Sequence, residues 1–574
     1  MTTADGSDTV ERQSYWNHAK TFMLILAVNS SYFAQLTILV GAGAFARTIA
    51  SVVGGESLVA WPASVIVIFI AALSPLVAQA ADYWGRKWFI VILAAIGCVG
   101  CIVVARGTSM NMVIAGFCLG GVSSASSCLI HTVASEVLPR RYRSWAQATV
   151  NGSVGLGSIF GLCVGGALTR YDPNGFRTYF AICAGVYAFS ALACAILYNA
   201  PPRQLQLEYT FGQKLRTLDW PAYVLITGGL VLFCLGLSWS QNPYSWTDAH
   251  VLAPFLIGCS LILGLLVYSW KMRSDGLLHH DLFHDRNFAI ALGCIFIEGL
   301  SFLAANIFVP YSLSIYFANT MNPFQQALCY NLVFCTFLVS AFGAGYYVYR
   351  SKSVRVPAMI GFLSFLIFFI LMATVNESTS QAKFWGYMVF CGLGLGFCIT
   401  TLVTAAQFAT PPELIAVTSG LMLSMRSVGA SAGAAVMNAI FANGLSQCLL
   451  PRVAAAVVPL GLQQDLVGPL LVALTAGDLS KAAALPGVTN EIISAAATAM
   501  KQSYGIGFRY VFVCAAAFSA VALIASIFLR NPRAEFTPTI DAPIDGDPYV
   551  TKGEDERAME SCHEFVEIET SGKA

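Results

Sequence analysis

Three ionisable residues lie inside long apolar stretches of the sequence, where a charged side chain is costly and is usually retained for function. Glu298 lies midway along the apolar run 288–309, Arg426 lies inside the run 417–441, and His131 lies near one end of its run. An apolar environment favours the protonated form of a carboxylic acid, so Glu298 is predicted to be a reversible proton acceptor. Arg426 is predicted to modulate this acceptor electrostatically, and whether the two residues pair is left open. His131, which titrates near neutrality, is a third candidate for proton coupling.

Each of these three residues also has a structural interpretation. Glu298 and Arg426 can form fixed hydrogen bonds between helices, because a buried polar group needs a partner. His131 is close enough to a membrane surface to cap a helix end or to extend toward the lipid headgroups. Both interpretations stay open at this point.

Neutral polar and aromatic side chains within the apolar runs are candidates to line a path for a substrate. A lining of this kind suits a bulky, largely uncharged, amphipathic molecule. The aromatic members can equally face lipid or pack between helices. The path candidates are Asn29, Gln35, Asn151, Asn306, Gln407, Asn438, Tyr32, Phe302 and Tyr311.

Other patterns that carry chemistry lack their usual context. His279, His280 and His284 fall in a polar loop without the fixed scaffold of a metal site, so no metal is predicted. No glycine-rich loop is followed by the Lys-Ser/Thr that cradles nucleotide phosphates, and no catalytic constellation emerges. The chain is therefore predicted not to be an enzyme and to need no cofactor. Asn376-Glu377-Ser378 is a glycosylation candidate in a short outer loop.

The elements that must position these residues are membrane-spanning helices. Hydrophobic residues make up 57% of the chain and charged residues 11%, whereas a soluble chain carries about a quarter charged residues. At about 20 apolar residues per crossing, the sequence predicts fourteen helices. A net charge of +1 offers no concentrated basic face for a nucleic acid. We expect an all-α, polytopic protein whose solvent is the lipid bilayer.

The distribution of Lys and Arg predicts the orientation of these spans. If the N-terminus is inside, 21 of the 31 Lys and Arg residues fall on the inner side and nine fall on the outer side, with Arg426 inside a span. Positive charge is retained on the cytoplasmic side of membrane proteins. Both termini are therefore predicted to be cytoplasmic.

A faint internal repeat divides the chain into two related bundles. Ser153-Val154-Gly155 in the fifth span matches Ser427-Val428-Gly429 in the thirteenth, and duplicated halves are typical of alternating-access carriers. An Ala-, Leu- and Val-rich outer segment predicts short amphipathic helices on the membrane surface. The acidic tail has too little apolar content to fold. The predicted parts are a cytoplasmic N-terminal segment 1–20, an N-terminal six-helix bundle 21–199, a linker with two additional spans 200–287, a C-terminal six-helix bundle 288–529 with a long outer loop 442–507, and a disordered acidic cytoplasmic tail 530–574.

The polar hexapeptide Asp82-Tyr83-Trp84-Gly85-Arg86-Lys87, between the second and third spans, is predicted to be a gate loop on the cytoplasmic side. Asp82 at the end of one helix can meet the positive N-terminal end of a neighbouring helix, and Gly85 permits a tight turn. Arg86 and Lys87 fix the side of the membrane. The alternative interpretation is a turn that serves only to set topology.

The chain resembles a known family through this hexapeptide and two further segments. These segments are Ser135-Glu136-Val137-Leu138-Pro139-Arg140-Arg141 and Leu215-Arg216-Thr217-Leu218-Asp219-Trp220. It resembles the fourteen-span drug:proton antiporters of the major facilitator superfamily over about residues 20–530, and within them the fungal trichothecene efflux pump group. Fungal siderophore transporters, which also have fourteen spans, are the nearest competitor.

Three positions depart from the family's patterns. Ala78 stands where a glycine is expected, Phe117 stands where the family often has an arginine implicated in proton coupling, and Leu162 replaces the proline of the antiporter motif. The small residues of that motif, which let helices approach closely, are kept. They are Gly157, Gly161, Gly165 and Gly166. Proton coupling therefore rests on Glu298.

The resemblance implies a monomeric plasma-membrane carrier that exports a hydrophobic secondary metabolite, mycotoxin or drug in exchange for protons by alternating access. A vacuolar or vesicle membrane is the alternative location. A siderophore-iron importer is the alternative function within the same superfamily. A membrane sensor that keeps the fold but does not transport is the alternative of another class.

Overall fold

The structure, a computed structural model, describes residues 4–541 except residues 60, 171, 199–209, 241–243, 273–275, 318–319, 378 and 476–478. Within these residues the regular secondary structure is helical apart from one isolated bridge between Ser240 and Tyr244. Fourteen helices are long and apolar enough to cross a membrane. The chain is thus a multi-pass membrane protein, and the predicted all-α, fourteen-span fold is confirmed.

The first six spans lie before the inserted pair. Their helices, with one short outer helix, are α1 (Ala4–Ala44), α2 (Ala46–Val53), α3 (Trp61–Trp84), α4 (Arg86–Arg106), α5 (Met110–Ser124), α6 (Ser127–Glu136), α7 (Arg143–Thr169) and α8 (Gly175–Leu197). A short helix and two further spans follow as α9 (Phe211–Thr217), α10 (Trp220–Trp239) and α11 (Ala249–Lys271). The remaining helices are α12 (Arg286–Tyr316), α13 (Pro323–Ser351), α14 (Arg355–Ala373), α15 (Gln381–Phe408), α16 (Ile415–Val457), α17 (Val467–Thr475), α18 (Leu479–Ala483) and α19 (Asn490–Ile527).

The two sets of six spans repeat one pattern of packing. Helix α7 packs on α1 as α16 packs on α12, and α4 packs on α5 and α8 as α14 packs on α15 and α19. Between the halves, α7 packs against α13 and α3 packs against α16. Helices α10 and α11 pack on each other, and α10 also contacts α3 and α16. The inserted pair therefore flanks one of the two seams between the halves.

The fourth span is divided into two helices partway along its length, whereas apolar length alone predicts one continuous helix. Serine hydroxyls near the break bond to carbonyl groups of the preceding turn: Ser124 Oγ donates to Gly120 O at 2.8 Å, and Ser126 Oγ donates to Ser123 O at 2.8 Å. Such bonds compete with the helical ladder. Helix α5 ends and α6 begins at this point, and Ser126 Oγ also accepts a bond from Gln35 of α1 at 2.9 Å.

The outer segment 442–507 does not lie flat on the membrane as predicted. Helix α16 runs for 43 residues and α19 for 38 residues, and at about 1.5 Å per residue both are far longer than the roughly 30 Å hydrocarbon core. Both helices therefore continue beyond the bilayer. Together with α17 and α18 they form a subdomain, residues 445–500, with its own apolar core that includes Val453, Val457, Leu470, Ile492 and Ala496. We call it the outer subdomain, after the side of the membrane on which the charge distribution predicts it to lie. The apolar side chains on which the prediction of surface helices was based are buried in this core.

Four loops and one C-terminal segment meet at a single end of the bundle, which we call the basic end. Arg86 contacts Glu136, Gln407 contacts Ser135, and Asn531 contacts Ser353, so the turns that these residues flank lie together. The basic end comprises the loop residues 85, 137–142, 352–354 and 409–414, against which residues 530–541 pack. It is the end that the positive-charge distribution predicts to be cytoplasmic.

Residues 530–541, which we call the C-terminal strap, pack against the basic end. The prediction of disorder from residue 530 onward therefore does not describe them. Phe536 packs on Phe408 and adds to a small buried cluster with Val348 and Val354. This one aromatic residue supplies an apolar attachment that the low overall apolar content of the tail does not predict. The rest of the predicted tail, residues 542–574, lies outside the described residues.

Candidate functional site

Glu298 and Arg426 form an ion pair deep within the second half of the protein. Arg426 Nε donates to Glu298 Oε2 at 2.6 Å and Nη2 donates to Oε1 at 3.0 Å, so the guanidinium binds the carboxylate through two parallel bonds. The Glu298 side chain is fully buried, whereas that of Arg426 is 23% exposed. The carboxylate lies away from bulk water, and the two charges compensate each other. Sequence reasoning identified both residues but left their pairing open.

Close packing of α12 on α16 brings the pair together. A side chain at Gly299 would meet the backbone carbonyl of Arg426, and one at Gly429 would meet the backbone of Phe296. A side chain at Gly433 would meet Leu300. Since glycine lets two backbones approach, these three positions set the distance at which Glu298 and Arg426 meet.

Aromatic rings surround the pair. The guanidinium of Arg426 lies 5.1 Å from the ring centroid of Phe302, one turn after Glu298 on α12, in a cation–π arrangement. From the first half, Tyr32 of α1 lies within electrostatic range of both charges and packs edge-on against His131, with ring centroids 5.3 Å apart. We call Glu298, Arg426, Phe302, Tyr32 and His131 the central site.

His131 links the central site to a polar network that joins the two halves. Its Nδ1–H donates to Gln147 Oε1 at 2.5 Å, and Gln147 Nε2 donates to Ser135 Oγ at 2.6 Å. Among the described residues, His131 Nε2 has no hydrogen-bond partner although the side chain is fully buried. His131 is therefore enclosed by helices and does not reach toward the headgroups, which removes the interfacial interpretation.

Gln407, predicted to line the substrate path, is the hub of this network. Its Oε1 accepts bonds from Ser135 Oγ at 2.7 Å and Gln147 Nε2 at 3.2 Å, and its Nε2 donates to Ser419 Oγ at 3.0 Å. The backbone oxygen of Gln407 accepts a bond from Arg143 at 2.9 Å. These partners belong to α6, α7 and α16, so Gln407 holds both halves at the basic end.

A second contact across the halves lies farther along the same helices. Asn151 of α7 donates to Thr400 Oγ1 of α15 at 3.1 Å. Every residue of α6, every residue from 398 to 408 and every residue from 415 to 424 is buried. The polar network and this tight packing close the protein at its basic end.

The predicted gate loop supplies a buried charge cluster at the same end. Gly85 adopts φ of 94°, which a residue with a side chain rarely adopts, and this allows α4 to start directly after α3. Arg86 is 5% exposed, bonds to Asp82 at 2.9 Å and also contacts Glu136 of α6. Lys87 lies 5.7 Å from the ring of Trp88. Sequence reasoning missed Glu136; a carboxylate adjoining an apolar run next to basic residues was the available signal.

Three of the four glycines in the antiporter-type motif form a contact face. Gly157 abuts Phe33 and Leu36 of α1, Gly161 abuts Val40, and Gly165 abuts Phe45 and Tyr179. These contacts pack α7 on α1 and α8. Space around Gly166 is open to 4 Å, so this fourth glycine is not part of the face.

The remaining path candidates do not all converge on the central site. Asn306 accepts a bond from Tyr330 at 2.8 Å, two turns beyond Glu298, and Tyr311 packs among Phe441, Tyr504 and Phe508. Asn29 is 7% exposed, and Asn438 is half-buried on α16. Asn376 is exposed on its loop and bonds to Thr379, while Ser378 of the same sequon lies outside the described residues.

Comparison with known proteins places this geometry in context. The sequence profile of the Major Facilitator Superfamily matches residues 24–434. The MFS-type transporter gkaD of Penicillium citrinum is 26% identical over 413 residues, which cover 71% of this chain and 68% of that protein. Efflux pump FUS6 of Gibberella fujikuroi is 22% identical over 402 residues, which cover 69% of this chain and 70% of that protein.

A solved structure shows the same fold. The crystal structure of the human organic anion transporter MFSD10 aligns with a TM-score of 0.54 and 13% identity, over 89% of this chain and 99% of that one. At this level of identity the likeness concerns the fold alone.

Proposed function

This chain belongs to the Major Facilitator Superfamily, and from that premise we propose that it is a secondary transporter that exports a hydrophobic secondary metabolite, mycotoxin or drug in exchange for protons. The observation that carries the proposal is the Glu298–Arg426 pair, because a buried carboxylate held by a partly exposed guanidinium can exchange its partner for a proton.

The chemistry of the pair supports a two-state cycle. When Glu298 is ionised, its charge and that of Arg426 compensate each other, and the site is neutral. When Glu298 takes up a proton, the two bonds from Arg426 weaken, and the guanidinium, still beside the ring of Phe302, becomes free to bind another partner. Proton binding and substrate binding then compete for the same small region, which is the requirement for antiport.

The lining of the central site supports a substrate with aromatic or extended apolar surface. Phe302 and Tyr32 provide aromatic surface, and Gln35 and Asn29, on the same helix as Tyr32, carry amide groups. Buried Asn29 Oδ1 and Gln35 Oε1 have no hydrogen-bond partner among the described residues, so they are available to bind a polar group of a substrate. This combination favours a bulky amphipathic molecule.

Closure at the basic end supports alternating access. The predicted orientation places this end in the cytoplasm, so the described state has its cytoplasmic side shut. Separation of α6 and α7 from α15 and α16 would open that side by breaking the bonds of Gln407 to α6 and α7. Rocking of two repeated bundles about a central site is the established way such carriers work.

Export, rather than uptake, is favoured by the relatives. One of them is named an efflux pump and another an MFS-type transporter, and both are fungal. We place the protein in the plasma membrane as a monomer with both termini in the cytoplasm. Likeness to the trichothecene pumps in particular stays a prediction, and import of a ferric siderophore is the function to be tested against it.

Reconstitution of the purified protein into liposomes tests the proposal. With an imposed pH gradient, we expect vesicles to accumulate a radiolabelled trichothecene on their acidic side and not to accumulate a ferric siderophore. Glu298→Gln should abolish the dependence of transport on the gradient, because glutamine cannot take up the proton. Glu377→Gln, a change to an exposed loop carboxylate, is the matched control and should behave as the parent.

Three other results would each count against this function. Normal transport by Glu298→Gln with unchanged pH dependence would refute proton coupling at this residue. Accumulation of the siderophore alone would favour the importer. Binding of the toxin without accumulation would favour a sensor.

A further inference from the structure

The first part of the C-terminal strap is attached to the second half of the protein. Asn531 Oδ1 accepts bonds from Ser353 Oγ at 3.0 Å and from the backbone N–H groups of Val354 and Arg355 at 3.2 Å each. Phe536 packs against Phe408, with ring centroids 4.8 Å apart. Residues up to Phe536 therefore rest on the loop between α13 and α14 and on the end of α15.

The second part of the strap is attached to the first half. The backbone oxygens of Thr539 and Thr537 accept bonds from the N–H groups of Arg140 at 2.9 Å and Arg141 at 3.0 Å. The strap thus satisfies two backbone donors that precede α7, which a flexible tail would leave to water. It crosses from one half to the other between residues 536 and 537.

Two carboxylates reinforce this crossing. Arg140 bonds to Asp541 at 2.9 Å and to Glu535 at 3.0 Å, and Arg143 also bonds to Asp541. The side chains of Arg143 and Asp541 are 2% and 6% exposed, so their interaction is little screened by water. Arg143 also donates to the backbone oxygen of Gln407, the hub of the network between the halves.

We propose that the C-terminal strap is a built-in lock, which binds across both halves and holds the basic end closed until it detaches. Opening this end moves the start of α7 away from the end of α15. The strap is bonded to both, so it must release one of them. Release of the first half breaks five contacts with Arg140, Arg141 and Arg143 together. Detachment of the strap thereby sets how often the basic end opens.

The lock makes the strap a point of control for the whole carrier. Any partner or modification that competes for Asp541 or for the arginines would shift the balance between the closed and open states. The proposal needs only that the basic end opens, and it depends neither on the substrate nor on the coupling ion.

Hydrogen–deuterium exchange of the full chain in lipid nanodiscs tests the lock without a transport assay. The variant Asp541→Asn leaves Arg143 without its ionic partner. We expect the amides of Arg140 and Arg141, and those of α6 and residues 398–408, to exchange about tenfold faster than in the parent, because local opening sets the exchange rate. Amides of the outer subdomain should not change.

Two further variants keep the test decisive. Phe536→Ala removes the apolar attachment without changing charge and should act in the same direction. Asp465→Asn removes an exposed carboxylate in the outer subdomain and should have no effect. Faster exchange at Arg140 and Arg141 without any change in α6 and 398–408 would overturn the lock, since the strap would then detach without opening the basic end. Unchanged exchange at all four places in both strap variants would overturn it as well.

Discussion

At the scale of single residues, the central site is built around a charge pair. The sequence identifies its two residues but does not show that they contact each other. Glu298 and Arg426 were identified because charges inside apolar runs are rare. Their pairing depends on the rotation and depth of α12 against α16, which Gly299 and Gly429 determine through backbone contact. Gln407 was assigned to the substrate path by its polarity alone, whereas its bonds place it in the network that closes the basic end.

The energetic coupling of the pair can be measured by a double-mutant cycle. Glu298→Gln and Arg426→Gln should each destabilise the protein by about 3 kcal/mol, because each leaves the other charge buried without its partner. For a chain of this length that corresponds to a fall of about 2 to 3 °C in the midpoint of thermal unfolding. The double variant should lose less than the sum of the two single variants. Strictly additive losses in detergent-solubilised protein would show that the pair is not coupled.

At the scale of elements, apolar length predicted all fourteen spans, since each must cross the same hydrocarbon thickness. The break between α5 and α6 was missed, because serine bonds to the local backbone are not visible in hydropathy. The outer continuation of α16 and α19 was missed for a different reason. Their last turns beyond the bilayer are apolar enough to resemble helices that lie on a membrane surface. Only the shared apolar core shows that they pack on each other instead.

Glycine positions on the spans differ sharply in what they tolerate. Gly429→Ala should strongly reduce the yield of monodisperse protein, because the added methyl group meets the backbone of Phe296, which cannot move aside as a side chain can. Gly166→Ala should leave the yield unchanged, because the space beside Gly166 is open. Fluorescence-detected size-exclusion chromatography compares the two variants. Equal yields would show that α12 and α16 are not held at glycine contact.

Adjacent valines test the core of the outer subdomain. Val457 is fully buried in that core, whereas Val458 is 41% exposed. Val457→Asp should unfold the outer subdomain locally, because an unpaired charge is placed among apolar side chains. Limited proteolysis should then cut residues 461–489 at least about tenfold faster, a change expected when local stability falls by more than 1.4 kcal/mol. Val458→Asp should be cut at the parent rate, and similar cutting of both variants would contradict the described core.

At the scale of the whole molecule, the repeated packing of two halves agrees with the weak repeat seen in the sequence. The same contacts recur between α1 and α7 and between α12 and α16. The contact between the halves at the basic end was not predictable, since it depends on which conformation the two bundles adopt. The strap was missed because its charges indicate a solvated tail, while the arginines that hold it lie far earlier in the chain. Arg140 and Asp541, for example, are 401 residues apart.

Alternating access predicts that a bridge across the basic end stops transport. The rings of Tyr142 and Tyr349, one from each half, stack with centroids 5.4 Å apart. After Tyr142→Cys and Tyr349→Cys are combined, a short bifunctional thiol reagent that forms disulfides should join the two cysteines and reduce transport to background. Reductant should restore it. Neither single variant should be inhibited, and full transport by the bridged protein would mean that this end does not open.

The neutrality of the Glu298–Arg426 pair has a consequence for how the carrier responds to voltage. In the proposed proton exchange, an ionised pair carries no net charge, so the membrane potential does no work when the substrate-loaded form with an uncharged cargo changes its orientation. A protonated Glu298 leaves one positive charge in the membrane interior. Its return toward a negative cytoplasm gains about 2.3 kcal/mol per 100 mV for a full crossing. Export would then be electrogenic, and the electrical potential as well as the pH gradient would drive it.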